Sequence, residues 1–218
     1  MTVHAQGGGG SIRARLAFAA GCLAAALAPG CVDLSQPNPG QSRFAIAPAT
    51  PAERGADAER VGSVRVMRAR VAPPADGRMF VYRVGESEYT LDYFNVFVAD
   101  PGEMITAAVV ESLTRAGPFV TVVGPGGGAD ASLRLETSVL SMHADLRDAS
   151  SPLAFVRARF TLLRDASGAT TVMGQWTHEH AEPARSSLPG DLVAAWDRAW
   201  ARVLAGVGQD AARALGVR

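Results

Sequence analysis

The chain has 218 residues, and its 21 basic residues balance 21 acidic ones for a formal net charge of +0. All of the basic residues are arginine and they form no dense stripe, which argues against nucleic acid as a partner. The length is that of one domain able to build a core without disulfide or metal staples.

The first element is the apolar stretch "LAFAAGCLAAALAPGCVDLS", residues 16 to 35, which holds both cysteines of the chain. Arg13 and Arg15 precede it and Pro29-Gly30 break it, leaving about 13 apolar residues where a spanning helix needs roughly 20. That is the build of a signal peptide over residues 1–30. A cysteine after small residues at the end of such a run resembles a bacterial lipobox, in which the thiol is acylated and the chain is cut in front of it. Cleavage before Cys22 would leave too short a run, so Cys31 is the expected lipidation site, although Ala28 stands where Leu is usual. Val32 follows it instead of Asp, which by analogy with other lipoproteins implies release to the outer membrane. Two or three acyl chains, palmitate among them, anchor stably where one does not. With Cys22 removed and Cys31 carrying lipid, no thiol remains for a disulfide, a zinc site or a nucleophile.

Residues 31–60 are rich in Pro, Gly, Ser and Ala and read as a flexible tether, interrupted by "RFAIAP", where Phe44 and Ile46 alternate in the manner of a short docking strand. The domain proper is expected over 61–218. "VGSVRVMRARV" alternates as one half-buried strand with at most one slip, and Met79 to Val84 with Tyr89 to Phe94 form a hairpin. "ADPGEMITAAVVESLTRAGPF" is the best local signal. Asp100 caps, Pro101 takes the first helical position, Glu103 completes a capping box, and Ile105, Ala108, Val109, Ser112, Leu113 and Ala116 share a face.

"FVTVV" is a strand, "GPGGGAD" a turn, and "ASLRLETSVLSMHAD", "PLAFVRARFTLLRD" and "ATTVMGQWTHEHA" form a three-stranded meander. A last helix runs from about Pro189 to Leu215, with Leu192, Trp196, Ala199, Val203 and Val207 on one face and Arg198, Arg202 and Arg213 opposite. The order strands, helix, strands, helix predicts a single α+β domain, an antiparallel or mixed sheet with two helices packed on one face.

Candidate chemistry is sparse. "GPGGGAD" lacks the Lys-Ser/Thr of a phosphate loop and leads into a strand. His178 and His180 share a strand face, and a metal would need a third ligand such as His143. Asp145, Asp148 and Asp165 fall at strand ends and turns, where Asp is favoured for its backbone hydrogen bonds. No Ser stands in a G-x-S-x-G elbow. Trp196 and Trp200 read as core, although the apolar band they belong to also suits a partner. No catalytic, cofactor-binding or metal residue is assigned, and Cys31 is the one site residue.

The order of lipobox cysteine, Pro-rich tether with "RFAIAP", Val-rich first strand, "MFVYRVGESEYTLDYF", "VADPGEMITAAVVESLTRAG" and a Trp-bearing final helix resembles the ABC-type transport auxiliary lipoprotein family. Tyr82, Arg83, Asp100 and Pro101 match its pattern, while Val98 stands where Trp is common. The resemblance implies a non-enzymatic periplasmic lipoprotein on the outer membrane. Its partners are ABC transporter and mammalian-cell-entry (MCE) components that move lipids or other hydrophobic compounds, with room for a homo-oligomer and no cofactor. Two alternatives stay open: an outer-membrane assembly lipoprotein resembling the partner of the lipopolysaccharide translocon, and a periplasmic hydrolase or metal-dependent enzyme.

Overall fold

The computed structural model describes residues 2, 40–55, 57–166 and 168–217, and every element below belongs to the unit Pro39–Arg218. Cys22 and Cys31 lie outside the described residues. Nine strands form one mixed sheet: β1 (Ser42–Phe44), β2 (Ser63–Val66), β3 (Arg70–Val71), β4 (Met79–Arg83), β5 (Tyr89–Phe97), β6 (Thr121–Val123), β7 (Leu133–Asp145), β8 (Leu153–Ala166) and β9 (Ala169–Pro183). Two helices, α1 (Pro101–Ala116) and α2 (Pro189–Leu215), complete the α+β domain.

The long strand β7 organises the sheet. One of its edges pairs antiparallel with β8, which pairs with β9, so the three form the expected meander. Three short strands dock in parallel along its other edge in succession, β2 at Leu133–Leu135, β3 at Ser138–Val139 and β4 at Ala144–Asp145. β6 adds to β2, β5 pairs with β4 as a hairpin, and β1 runs parallel to the end of β5. The segment expected as one strand therefore splits into β2 and β3. Its ladder breaks where the Ala69 N–H leaves the sheet to donate to Thr106 Oγ1 on α1 at 2.8 Å.

Period-two burial on β7 and β8 puts Leu133, Leu135, Val139, Ala154, Val156, Ala158, Phe160 and Leu162 on one face, which the helices cover. α2 packs on β8 and β9, and α1 lies over β2, β3 and β6. Trp196 and Trp200 are each 1% exposed, and the Trp196 ring meets Phe80 edge-on at 5.1 Å, so the tryptophans are core. α1 begins as expected, with Asp100 Oδ1 accepting from the N–H groups of Gly102 and Glu103. Glu103 does not close the capping box; its carboxylate turns to Arg68 at 3.1 Å.

The described part of the segment read as a tether is held against the domain. The Phe44 ring meets Phe80 at a tilt with centroids 5.3 Å apart, Ile46 is buried, and the Ala47 N–H donates to Asp197 Oδ1 on α2 at 2.8 Å. Further along, Thr50 donates to Glu111 and the Arg54 N–H to the Arg115 carbonyl, both on α1. Residues 44–54 thus cross both helices. Among the described residues no helix is long and apolar enough to cross a membrane.

Candidate partner interface

Alternation that buries one face of β7–β9 must display the other, and among the described residues no helix covers it. There β8 and β9 present Arg157, Arg159, Thr161, Gln175, Thr177 and Glu179, with Arg157 and Glu179 paired at 3.5 Å and both about half exposed. Gln175 Nε2 donates to Thr161 Oγ1 at 3.1 Å. Exposed ion pairs of this kind add little stability, so the row is a hydrated surface free to be read by a partner.

His143 sits at one end of this face. The register shift between Val139 and Ser141 is a bulge, and it moves the following side chains of β7 to the opposite side of the sheet. His143 therefore stacks on Phe155 at 4.9 Å and meets Tyr89 edge-on at 5.5 Å. Its Nδ1 shares a hydrogen bond with Ser141 Oγ, while Nε2 is buried without a partner among the described residues. Burial, with Arg83 and Arg147 nearby, lowers its pKa to about 4 against the opposing pull of Asp145. A cavity of about 230 Å³ adjoins the ring, lined by Pro73, Pro74, Val81, Tyr89 and Ser141.

His178 and His180 face the helices instead, so the third ligand considered for them lies across the sheet. His178 Nε2 is engaged by Asp210 Oδ2 at 2.8 Å, and the same carboxylate bonds Arg213. Burial, then His178 and Arg202, holds the His180 imidazole below its ordinary pKa. Beside them Glu182 is only 6% exposed and binds Arg202 at 2.7 Å and Arg198 at 3.9 Å. Arg198 and Arg202 of the outer α2 face are thus committed to the fold. The three aspartates serve their turns: Asp145 pairs with Arg147, Asp148 takes Ser150, and Asp165 takes Thr170. In the "GPGGGAD" turn the carbonyls of Gly127 and Ala129 accept from the Arg65 guanidinium at 2.7 and 2.6 Å. That loop offers oxygen to a cation, the reverse of a phosphate cradle.

Sequence reading missed Asp92, Glu182 and Asp210: Glu182 and Asp210 join β9 to α2, and Asp92 gathers its neighbours Phe94 and Asn95 with Tyr82 of the paired strand. Asp92 accepts from Tyr82 Oη, Phe94 N, Asn95 N and Asn95 Nδ2 at 2.7 to 3.1 Å. Burial pushes its carboxyl up, but these hydrogen bonds outweigh it and hold the pKa below the ordinary value. Burial first, then the bond to Asp92, raises the Tyr82 phenol.

The fold is similar to a crystal structure of protein XCC0632 from Xanthomonas campestris, of the DUF330 family, with a TM-score of 0.66 and 19% identity over 78% of this chain and 95% of that one. A second crystal structure, of an uncharacterized protein, aligns with a TM-score of 0.60 at 14% identity, covering 78% of this chain and 98% of that one. At such identities the likeness is one of fold. No curated protein matches the chain in sequence. A family model described as ABC-type transport auxiliary lipoprotein component matches residues 44–208, from the strand that meets Phe80 to the last turns of α2. The chain belongs to that family.

Proposed function

We propose that this protein is a non-enzymatic auxiliary subunit of an MCE-type ABC transport system that moves lipids or other hydrophobic compounds across the cell envelope. In this reading it is anchored through acylated Cys31 to the periplasmic side of the outer membrane. The family match over residues 44–208 carries the reading, and the sequence before it supports the anchor. A short apolar run behind Arg13 and Arg15 ends at Gly30-Cys31, as a lipoprotein signal does. The folded unit supplies a stiff two-layer body with one hydrated sheet face, suited to docking a partner subunit.

The test is affinity purification of the full-length protein from detergent-solubilised envelopes, with identification of what travels with it. The expected companions are an MCE-domain protein and an ABC ATPase or permease. Recovery of outer-membrane assembly proteins in their place would overturn the reading. Arg159→Glu on the open sheet face is expected to weaken the association, since like-charge juxtaposition at an interface costs several kcal/mol. Arg198 and Arg202 are unsuited to this test because reversing them would strand Glu182 inside the domain.

A further inference from the structure

The edge at which the chain enters the domain is built to hold aromatic side chains in the open. β1 covers only Asn95 to Phe97 of β5, so the run Tyr89 to Phe94 has no strand beside it on that edge among the described residues. Between the partners of Met79 and Phe80 the strand bulges, and the four hydrogen bonds of Asp92 fix that bulge. The residues it projects are Tyr93 and Phe94, 67% and 52% exposed, with Tyr89, Leu91 and Val84 also exposed on the same hairpin. Several large apolar side chains exposed on one hairpin edge make it a candidate contact site.

The backbone of this edge is not what is on offer. Gln41 Nε2 already donates to the Tyr93 carbonyl at 3.0 Å, and the bulge interrupts the ladder that an added strand would need. A second copy joining edge to edge is therefore disfavoured, and the side chains remain. Aromatic rings with one apolar body and one polar tip sit well at the boundary of a bilayer. Glu86, Glu88 and Asp92 on the hairpin offset Arg43 and Arg83, so among its described residues there is no excess of positive charge to seek anionic headgroups.

Chain length points to the occupant. Gln41, which touches Tyr93, is ten residues from Cys31. Ten residues reach at most about 36 Å. We propose that the exposed edge Tyr89 to Phe94 rests in the lipid surface of the membrane that carries the anchor, setting the domain with this hairpin down and β6 away. The inference rests on the reading of Cys31 as the lipidated residue. Tethering at this distance makes even weak insertion effective, because the contact becomes intramolecular.

The experiment uses the mature lipoprotein with one added thiol, Phe94→Cys, labelled with an environment-sensitive bimane and reconstituted in vesicles of phosphatidylethanolamine and phosphatidylglycerol. Asp130→Cys, in the turn before β7 and about 37 Å along that strand from the β4 pairing, is the control. With brominated lipid the Phe94→Cys probe is expected to shift to the blue and lose most of its emission, while the Asp130→Cys probe is unchanged. Equal quenching of the two probes would overturn the proposal. So would a blue shift in detergent alone that bromine does not quench, since it would show a protein covering the edge. Mass spectrometry of the same preparation locates the acyl group. An acylated Cys31 with an unquenched Phe94→Cys probe sinks the orientation alone, whereas acyl on Cys22 removes the short tether and sinks both.

Discussion

His143 shows how far burial can govern a single residue. Its ring is 4% exposed and held between Phe155 and Tyr89, so the native domain refuses a proton that the unfolded chain accepts at about pH 6.5. Because the folded pKa is about 4, the unfolded state binds more protons across that window. Stability is then complete above about pH 6.5 and falls as pH drops towards 4, by up to ~3 kcal/mol at 1.36 kcal/mol per pH unit. Urea melts at pH 7 and pH 4.5 are expected to show this loss, and His143→Phe, which keeps an aromatic ring against Phe155, is expected to shrink it. The lowered carboxylates Asp92 and Asp145 contribute only at more acid pH, as their own protonation sets in. Gly206 is a second residue fixed by its surroundings. A Cβ there would lie 2.5 Å from the His178 ring, which is pinned to Asp210. Alanine normally favours a helix over glycine by about 1 kcal/mol, yet Gly206→Ala is expected to destabilise, because overpacking of this kind costs about 1 to 3 kcal/mol. A thermal melt at or above the wild-type midpoint would show that the ring yields instead.

At the scale of elements, α1 separates a cap from a core contact. Asp100→Ala removes the acceptor for two orphan N–H groups and is expected to cost about 1 kcal/mol. Leu113→Ala, at a position 1% exposed, is expected to cost about 2 to 5 kcal/mol. Denaturant midpoints for the pair give that ranking or refute it. Both helices were legible in the sequence because their signals are local: Pro101 and Pro189 at the first turns, Gly117 and Gly216 past the ends, and a 3.6-residue apolar stripe between them. The meander was legible for the same reason, since Val156, Ala158, Phe160 and Leu162 alternate without interruption. What stayed hidden depends on distant partners. Nothing in "VGSVRVMRARV" says that Thr106 will take the Ala69 N–H and split the strand. The bulge after Val139 was equally invisible, and it carries His143 away from the face of His178 and His180. A three-histidine site was conceivable only with an unbroken β7. Position on the sheet, not residue type, decided the candidate site.

For the whole molecule, the proposed anchor yields its own test. Cys31→Ser is expected to leave uncleaved precursor, and Cys22→Ser to be processed as wild type, both read by intact mass of the envelope protein. Acyl on Cys22 would overturn that assignment. The placement of β7 governs the body that the anchor holds. Its parallel partners β2, β3 and β4 all precede it in the chain, and none of them is complete without residues 133 to 145. Parallel pairing of strands so far apart in sequence is slow, because loop closure must come before any contact repays it. A chain ending at Asp130 is therefore expected to show no cooperative unfolding transition. For a protein that, on the proposed reading, enters the periplasm amino-terminus first, this order has a topological meaning. The proposed point of attachment emerges well before the strand that closes the domain, so the protein is moored as an open chain and becomes a body only in place.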